Sequence, residues 1–379
     1  MARAGIVAIR ARFSNLTDPR VERTKQHLLS DMVVIALCAA ICGANSWADV
    51  ERFGNAKLEW LLRFLDLPNG IPSHDTFGRV FSRLDTNEFY TCVHNWLVSL
   101  KLALKEKQVA IDGKTLRRSF DKAAGKSPLQ LVSAWACDLR ISLGQVAVDD
   151  KSNEITAVPQ LLELLELTGS VVTLDAMHCQ KETAAAILAK GADYVLTVKR
   201  NQPSLHAKLA ELFVSFGDRD YRIPGLRIHK TVERSHGRNE RREYYVAPAP
   251  ADLRGSQEWR GVRTIGMIYR RREQGDKIEE EVVYFISSLP PEVKRLARLV
   301  RNHWGIENSL HWILDVSFAE DQSRIRKGQG PEIAGVFRRL AISMLQQDTS
   351  VKSSIRGKRL QAGWNTDILE RILTSFDGN

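Results

Sequence analysis

The chain has 379 residues, enough for two or three packed units and a large core. Hydrophobic residues make up 44% and charged residues 26%, an ordinary balance for a globular protein that excludes intrinsic disorder. Lysine and arginine number 55 against 45 acidic residues, and the resulting +10 charge favours polyanions such as nucleic acid as partners.

The five cysteines include no Cys-x-x-Cys pair, so neither a disulfide framework nor a zinc ribbon is expected, and a cytoplasmic protein is. Met32 to Ala44 is the longest apolar run, too short for the ~20 residues that span a bilayer. It reads as a core helix carrying Cys38 and Cys42 as small buried side chains, and no membrane partner is expected. The opening residues, with Arg3, Arg10 and Arg12 and no apolar h-region, do not read as a secretory signal.

Residues 1–105 read as a helical N-terminal domain. Helices are expected over Gln26 to Ala40 and over Ser46 to Phe64, followed by a turn at Leu67 to Gly70. Ser73 is placed to cap a helix whose buried stripe is Phe77, Val80, Phe81 and Leu84. Arg79 and Arg83 share another face of that helix, which is either a DNA contact or a solvated basic surface.

From residue 107 the pattern changes to short β-rich runs interleaved with amphipathic helices. Strands are expected at Gln108 to Ile111, Gln130 to Cys137, Ser142 to Val148, Val171 to Leu174 and Tyr194 to Val198. Helices are expected at Val158 to Leu167, Lys181 to Lys190 and Ser204 to Phe216, so the fold class is α/β with a mixed sheet. Residues 217–289 read as a β-strand insertion with strands at Glu243 to Val246, Arg263 to Tyr269 and Glu281 to Ile286. His236 to Arg242 is expected to be a polar turn. Pro290-Pro291 restarts a helix that carries Trp304, Glu307, His311 and Trp312.

Two acids interrupt apolar strands where those strands should emerge at the sheet edge: Asp112 after Val109-Ala110-Ile111, and Asp175 after Val171 to Leu174. Asp112-Gly113 alone could be a hairpin turn. Paired on neighbouring strands, the two carboxylates would repel each other unless cations lay between them, and all-oxygen donors suit Mg²⁺ or Mn²⁺. A third acid comes from Glu307, spaced with His303 and His311 at i, i+4 and i+8 on one helix face. That stripe could also face solvent, although Trp304 and Trp312 point to a packed helix, or it could hold zinc with a fourth ligand missing. Asp315, Glu320 and Asp321 compete for the third role.

The segments Ala110-Ile111-Asp112-Gly113-Lys114, Thr173-Leu174-Asp175-Ala176-Met177-His178, Tyr194 to Gln202 and His303 to Asn308 together resemble insertion-sequence DDE transposases, in the branch of the H-repeat-associated proteins. The likeness runs over nearly the whole chain, including Asp18-Pro19-Arg20 and Ser73 to Phe77. It implies a ribonuclease H-like catalytic domain over residues 106–379, with the β insertion before the last acid. It also implies metal-dependent cleavage at transposon ends and transfer of the 3′-hydroxyl into target DNA, with Asp112, Asp175 and Glu307 as the triad. Two Mg²⁺ or Mn²⁺ ions roughly 4 Å apart would activate the nucleophile and stabilise the leaving oxygen. Val300, His303 and Leu314 stand where the wider superfamily has Tyr, Arg and Lys, leaving Lys199 or His311 to replace the lysine.

Lys114, Lys199, Arg200, His303, His311, Arg79 and Arg83 are the expected DNA-contacting candidates, joined by Arg324, Arg326 and Lys327. The expected partners are double-stranded DNA, as terminal inverted repeats and target, and a second copy of the chain bound on that DNA. A catalytically inactive DNA-binding relic and a metal nuclease without strand transfer are the alternatives.

Overall fold

The computed structural model describes residues 2–120, 125–148, 154–235, 238–254 and 258–376. The chain divides into two compact units, one comprising Met1–Ala103, Gly113–Asn153 and Ile306–Asn379, the other Leu104–Asp112 and Glu154–Gly305. The helical opening expected to end near residue 105 thus shares its unit with two later segments.

In the first unit the helix Leu29–Ile41 is buried at all but one position, as its apolar run from Met32 to Ile41 requires, and Asp31 is buried against Arg10. It lies against the helix Gly330–Gln347. Phe13, Phe89 and Trp96 continue this core as an aromatic chain, and Phe337 packs edge-on to Phe89 and Phe81. The single helix expected from Ser46 to Phe64 is two, Trp47–Ala56 and Leu58–Leu61, because Lys57 leaves helical geometry at φ −114° and ψ 18°. Ser73 caps the helix His74–Phe81 by accepting a bond from the Thr76 N–H, as expected.

The strands are β1 (Gln108–Thr115), β2 (Gln130–Ala136), β3 (Ile141–Ala147), β4 (Val171–Leu174), β5 (Asp193–Val198), β6 (Arg227–Ser235), β7 (Arg238–Pro248), β8 (Thr264–Gln274) and β9 (Lys277–Ser287). They hydrogen-bond in the order β3-β2-β1-β4-β5-β9-β8-β7-β6. β1, β4 and β5 are parallel neighbours, and β2 and β3 are an antiparallel hairpin, giving the mixed sheet expected. The β insertion extends this sheet as four antiparallel strands, joined to β5 through β9.

The turn expected at His236 to Arg242 is corrected for its described part, since Arg238 to Arg242 lie inside β7; His236 and Gly237 fall outside the described residues. The polar run misled because Arg238 and Arg242 pair with the buried Glu240, which satisfies charges within a strand. β6 was not expected, since seven of its nine residues are exposed and it lacks apolar alternation.

The helix Val293–His303 covers the second unit's sheet, packing Leu296, Leu299 and Val300 with Tyr244, Val246, Ile268 and Phe285. Where β8 passes Phe285 the backbone approaches so closely that only glycine fits: a Cβ on Gly266 would lie 2.0 Å from the ring. Phe285 is fully buried and has no room to withdraw. Gly266→Ala is expected to destabilise the fold by about 1–3 kcal/mol, read as a lower urea midpoint with unchanged m. An unchanged midpoint would show that the ring relaxes freely.

Candidate metal centre

Parallel pairing matches Gln108 to Val171 and Ile111 to Leu174, so Asp112 and Asp175 are the next residues on adjacent strands. Both stand at the C-terminal edge of the parallel strands, where open α/β sheets bind ligands. β5 ends at the same edge, and Lys199 and Arg200 follow it in exposed positions. The loop after β5 braces the loop carrying Asp175: Asn201 Nδ2 donates to Ala176 O at 2.6 Å and Gln202 Nε2 to Cys179 O at 2.9 Å.

A buried polar chain ties the covering helix to these strands. Gln108 Nε2 donates to Thr173 Oγ1 at 3.0 Å and to Leu299 O at 2.8 Å, and Thr173 Oγ1 lies 3.2 Å from His303 Nδ1. His303, a candidate DNA contact from the sequence, is buried, with 5% exposure. The helix ends there, and a single π turn, Glu307–His311, follows. The expected i, i+4 adjacency of Glu307 and His311 is kept within this turn, whereas His303 faces Thr173 in the buried chain. Trp304 and Trp312, expected to mark a packed face, are instead 51% and 57% exposed.

Within the π turn His311 Nδ1 lies 3.4 Å from Glu307 Oε2; the imidazole is buried while the carboxylate is 53% exposed. Glu307 and His311 thus offer an oxygen and a nitrogen donor side by side, and Asp112 and Asp175 offer carboxylates from adjacent strands. Carboxylates on neighbouring strands repel each other, and oxygen donors with one imidazole nitrogen fit a divalent cation, the nitrogen favouring Mn²⁺ over Mg²⁺. Asp175 Oδ1 accepts from the His178 N–H at 3.3 Å and lies 4.0 Å from His178 Nε2.

The competing acids are engaged elsewhere. Asp315 and Asp321 lie 2.8 Å and 3.5 Å from Lys114 Nζ, and Asp321 also pairs with Arg117 at 3.1 Å. Lys114, expected to grip phosphate, is thus an ion-pair partner whose side chain is 9% exposed. Glu320 is buried between Arg338 at 3.6 Å and Arg339 at 3.2 Å. Sequence reasoning missed this cluster, because paired charges inside a core leave no pattern distinguishable from a solvated face.

The family profile described as Transposase DDE domain matches residues 103–344, a span containing Asp112, Asp175, Glu307 and His311. The chain belongs to the DDE transposase family. A second profile, DDE_Tnp_1-associated, matches residues 10–97. This transposase is 39% identical to "Putative transposase YncI" of Escherichia coli O157:H7, over 96% of this chain and 93% of that protein. It is 36% identical to "H repeat-associated putative transposase YhhI" of Escherichia coli strain K12, over 95% and 96% of the two chains. These relatives bear out the branch expected from the motifs. A piggyBac transposase synaptic complex with hairpin DNA matches with a TM-score of 0.42 and 10% identity, over 99% of this chain and 76% of that one. No helix among the described residues is long and apolar enough to cross a membrane.

Burial pushes the Glu320 carboxyl pKa up, but Arg339, Arg338 and Lys114 outweigh it and hold the group below the usual range. Its stabilising contribution is present above the ordinary glutamate value of 4.5 and is lost as pH falls through the lower folded value. Glu320→Ala, which leaves two arginines buried without their carboxylate, is expected to cost about 3–5 kcal/mol in denaturant unfolding at neutral pH. A variant of normal stability with abolished catalysis would instead make Glu320 a member of the reactive centre.

Proposed function

We propose that this transposase cleaves DNA strands at the ends of its element and transfers the freed 3′-hydroxyl into target DNA. The observation that carries this reading is the placement of Asp112 and Asp175 side by side on adjacent parallel strands, with Glu307 and His311 paired at 3.4 Å in the π turn. Asp112, Asp175 and Glu307 would hold the divalent ions, Mg²⁺ or Mn²⁺, and His311 would add a nitrogen donor. Two such ions supply an activated nucleophilic oxygen and a stabilised leaving oxygen in phosphodiester displacement.

The chain's own part is to fix the donors and the DNA. β1 and β4 hold the two aspartates in register, and the π turn keeps Glu307 and His311 together. Lys199 and Arg200, exposed at the same edge as the aspartates, would contact DNA phosphates near the reacting strand. The helical segment 1–105 would engage the element's terminal repeats, and two copies would act together because two ends must be joined. Intact acids at all three positions favour an active enzyme over an inactive relic.

Asp112→Asn, Asp175→Asn and Glu307→Gln are each expected to abolish nicking of a terminal-repeat duplex in Mg²⁺ or Mn²⁺, while DNA binding and the melting temperature stay near those of the unsubstituted protein. Mn²⁺ binding, followed by loss of the free-ion electron paramagnetic resonance signal, should weaken in Asp112→Asn, Glu307→Gln and His311→Gln. Normal cutting by Glu307→Gln together with loss in Asp315→Asn or Asp321→Asn would move the third acid. Pre-cut ends with a free 3′-hydroxyl should be joined to a target duplex; cutting without joining would leave a nuclease.

A further inference from the structure

Two grooves in the first unit share one arginine. Arg79, on the helix His74–Phe81, lines a groove of about 780 Å³ together with Trp47, Arg324 and Lys327. It also lines an adjoining groove of about 420 Å³ with Arg23 and Arg83. Arg23, Arg79, Arg83, Arg324 and Lys327 take part in no ion pair among the described residues, unlike Lys114 or Arg338. Asp75 is the acid lining the larger groove.

The segment carrying Arg324 and Lys327 is anchored to the helical part of this unit. Gln329 N–H donates to Ser82 O at 3.0 Å, and Arg326 donates to Arg118 O at 2.9 Å while stacking over Phe120. Gly328 has φ +50°, and a Cβ there would lie 2.1 Å from Ser82 O, so only glycine allows this approach. The cations on both walls are therefore set by backbone contacts before any ligand arrives.

We infer that these two grooves form one binding site for the sugar-phosphate backbone of duplex DNA, composed of the helix His74–Phe81 and the 324–327 segment. Unpaired cations lining connected grooves provide charge complementarity to a polyphosphate. A single strand would call for exposed aromatic rings on which bases stack. Trp47 is the tryptophan in the lining, and its ring is taken up by Phe81 at 5.0 Å and by contact with Gly78. The inference rests on the reading that this chain works on DNA, and it makes Arg79 a backbone contact that positions DNA without reading its sequence.

The test uses the full chain and a fluorescent duplex of arbitrary sequence, titrated at several salt concentrations. The variant carrying Arg79→Ala, Arg324→Ala and Lys327→Ala should lower the slope of log affinity against log salt by roughly three, about one for each lost phosphate contact. A control carrying Lys352→Ala, Arg356→Ala and Arg371→Ala removes the same charge from exposed positions of the same unit and should leave the slope unchanged. An unchanged slope in the first variant, an equal fall in the control, loss confined to a single-stranded probe, or no duplex binding by the unsubstituted protein would each overturn the assignment. If the slope falls as expected but the unsubstituted protein never cuts in metal, the transposase reading fails and the groove stands. An unchanged slope with cutting intact gives the reverse.

Discussion

The four-residue parallel register between β1 and β4 is the constraint on which the candidate centre depends. Parallel strands align their C-terminal ends, so an acid placed one residue past each matched segment must stand beside the other whatever the intervening chain does. β5 adds a third parallel end at the same edge, and its following loop holds the Asp175 loop through Asn201 and Gln202. The buried chain from Gln108 through Thr173 to His303 then fixes the covering helix against these same strands. A slip of one residue between β1 and β4 would turn one aspartate to the opposite face and break that polar chain as well.

Charge pairing sorts the acids that follow the covering helix. Asp315 and Asp321 pair with Lys114, and Glu320 lies between two core arginines. Glu307 differs in having a half-exposed carboxylate beside a buried imidazole. Ion pairs that satisfy a fold consume carboxylates, whereas a carboxylate held near another one is what a cation site requires. The same distinction separates the cations: Lys114 is spent within the fold, while Arg79, Arg324 and Lys327 line open grooves.

The family's two matched regions, residues 10–97 and 103–344, do not coincide with the two compact units. The helix Gly330–Gln347, late in the chain, shares its core with the early helix Leu29–Ile41. Phe337 is the residue that closes this core, meeting Phe81 and Phe89 edge-on at 5.5 Å. The helical opening is thereby completed by side chains more than two hundred residues away, so a fragment ending at the first matched region would expose an apolar face.

The sequence by itself determined what local chemistry encodes: the apolar strands of the parallel sheet, the Ser73 cap, the stripe of Phe77, Val80, Phe81 and Leu84, and the acid that follows β4, whereas Asp112, expected at a strand end, lies inside β1, which runs on to Thr115. These were legible because strand alternation, capping and apolar periodicity act over a few residues. Tertiary structure alone decided the rest. It placed Glu307 and His311 in a π turn that rules based on 3.6 residues per turn do not anticipate. It also buried His303, spent Lys114 on Asp315, and laid the exposed β6 along β7, because burial and ion pairing are set by neighbours distant in the chain.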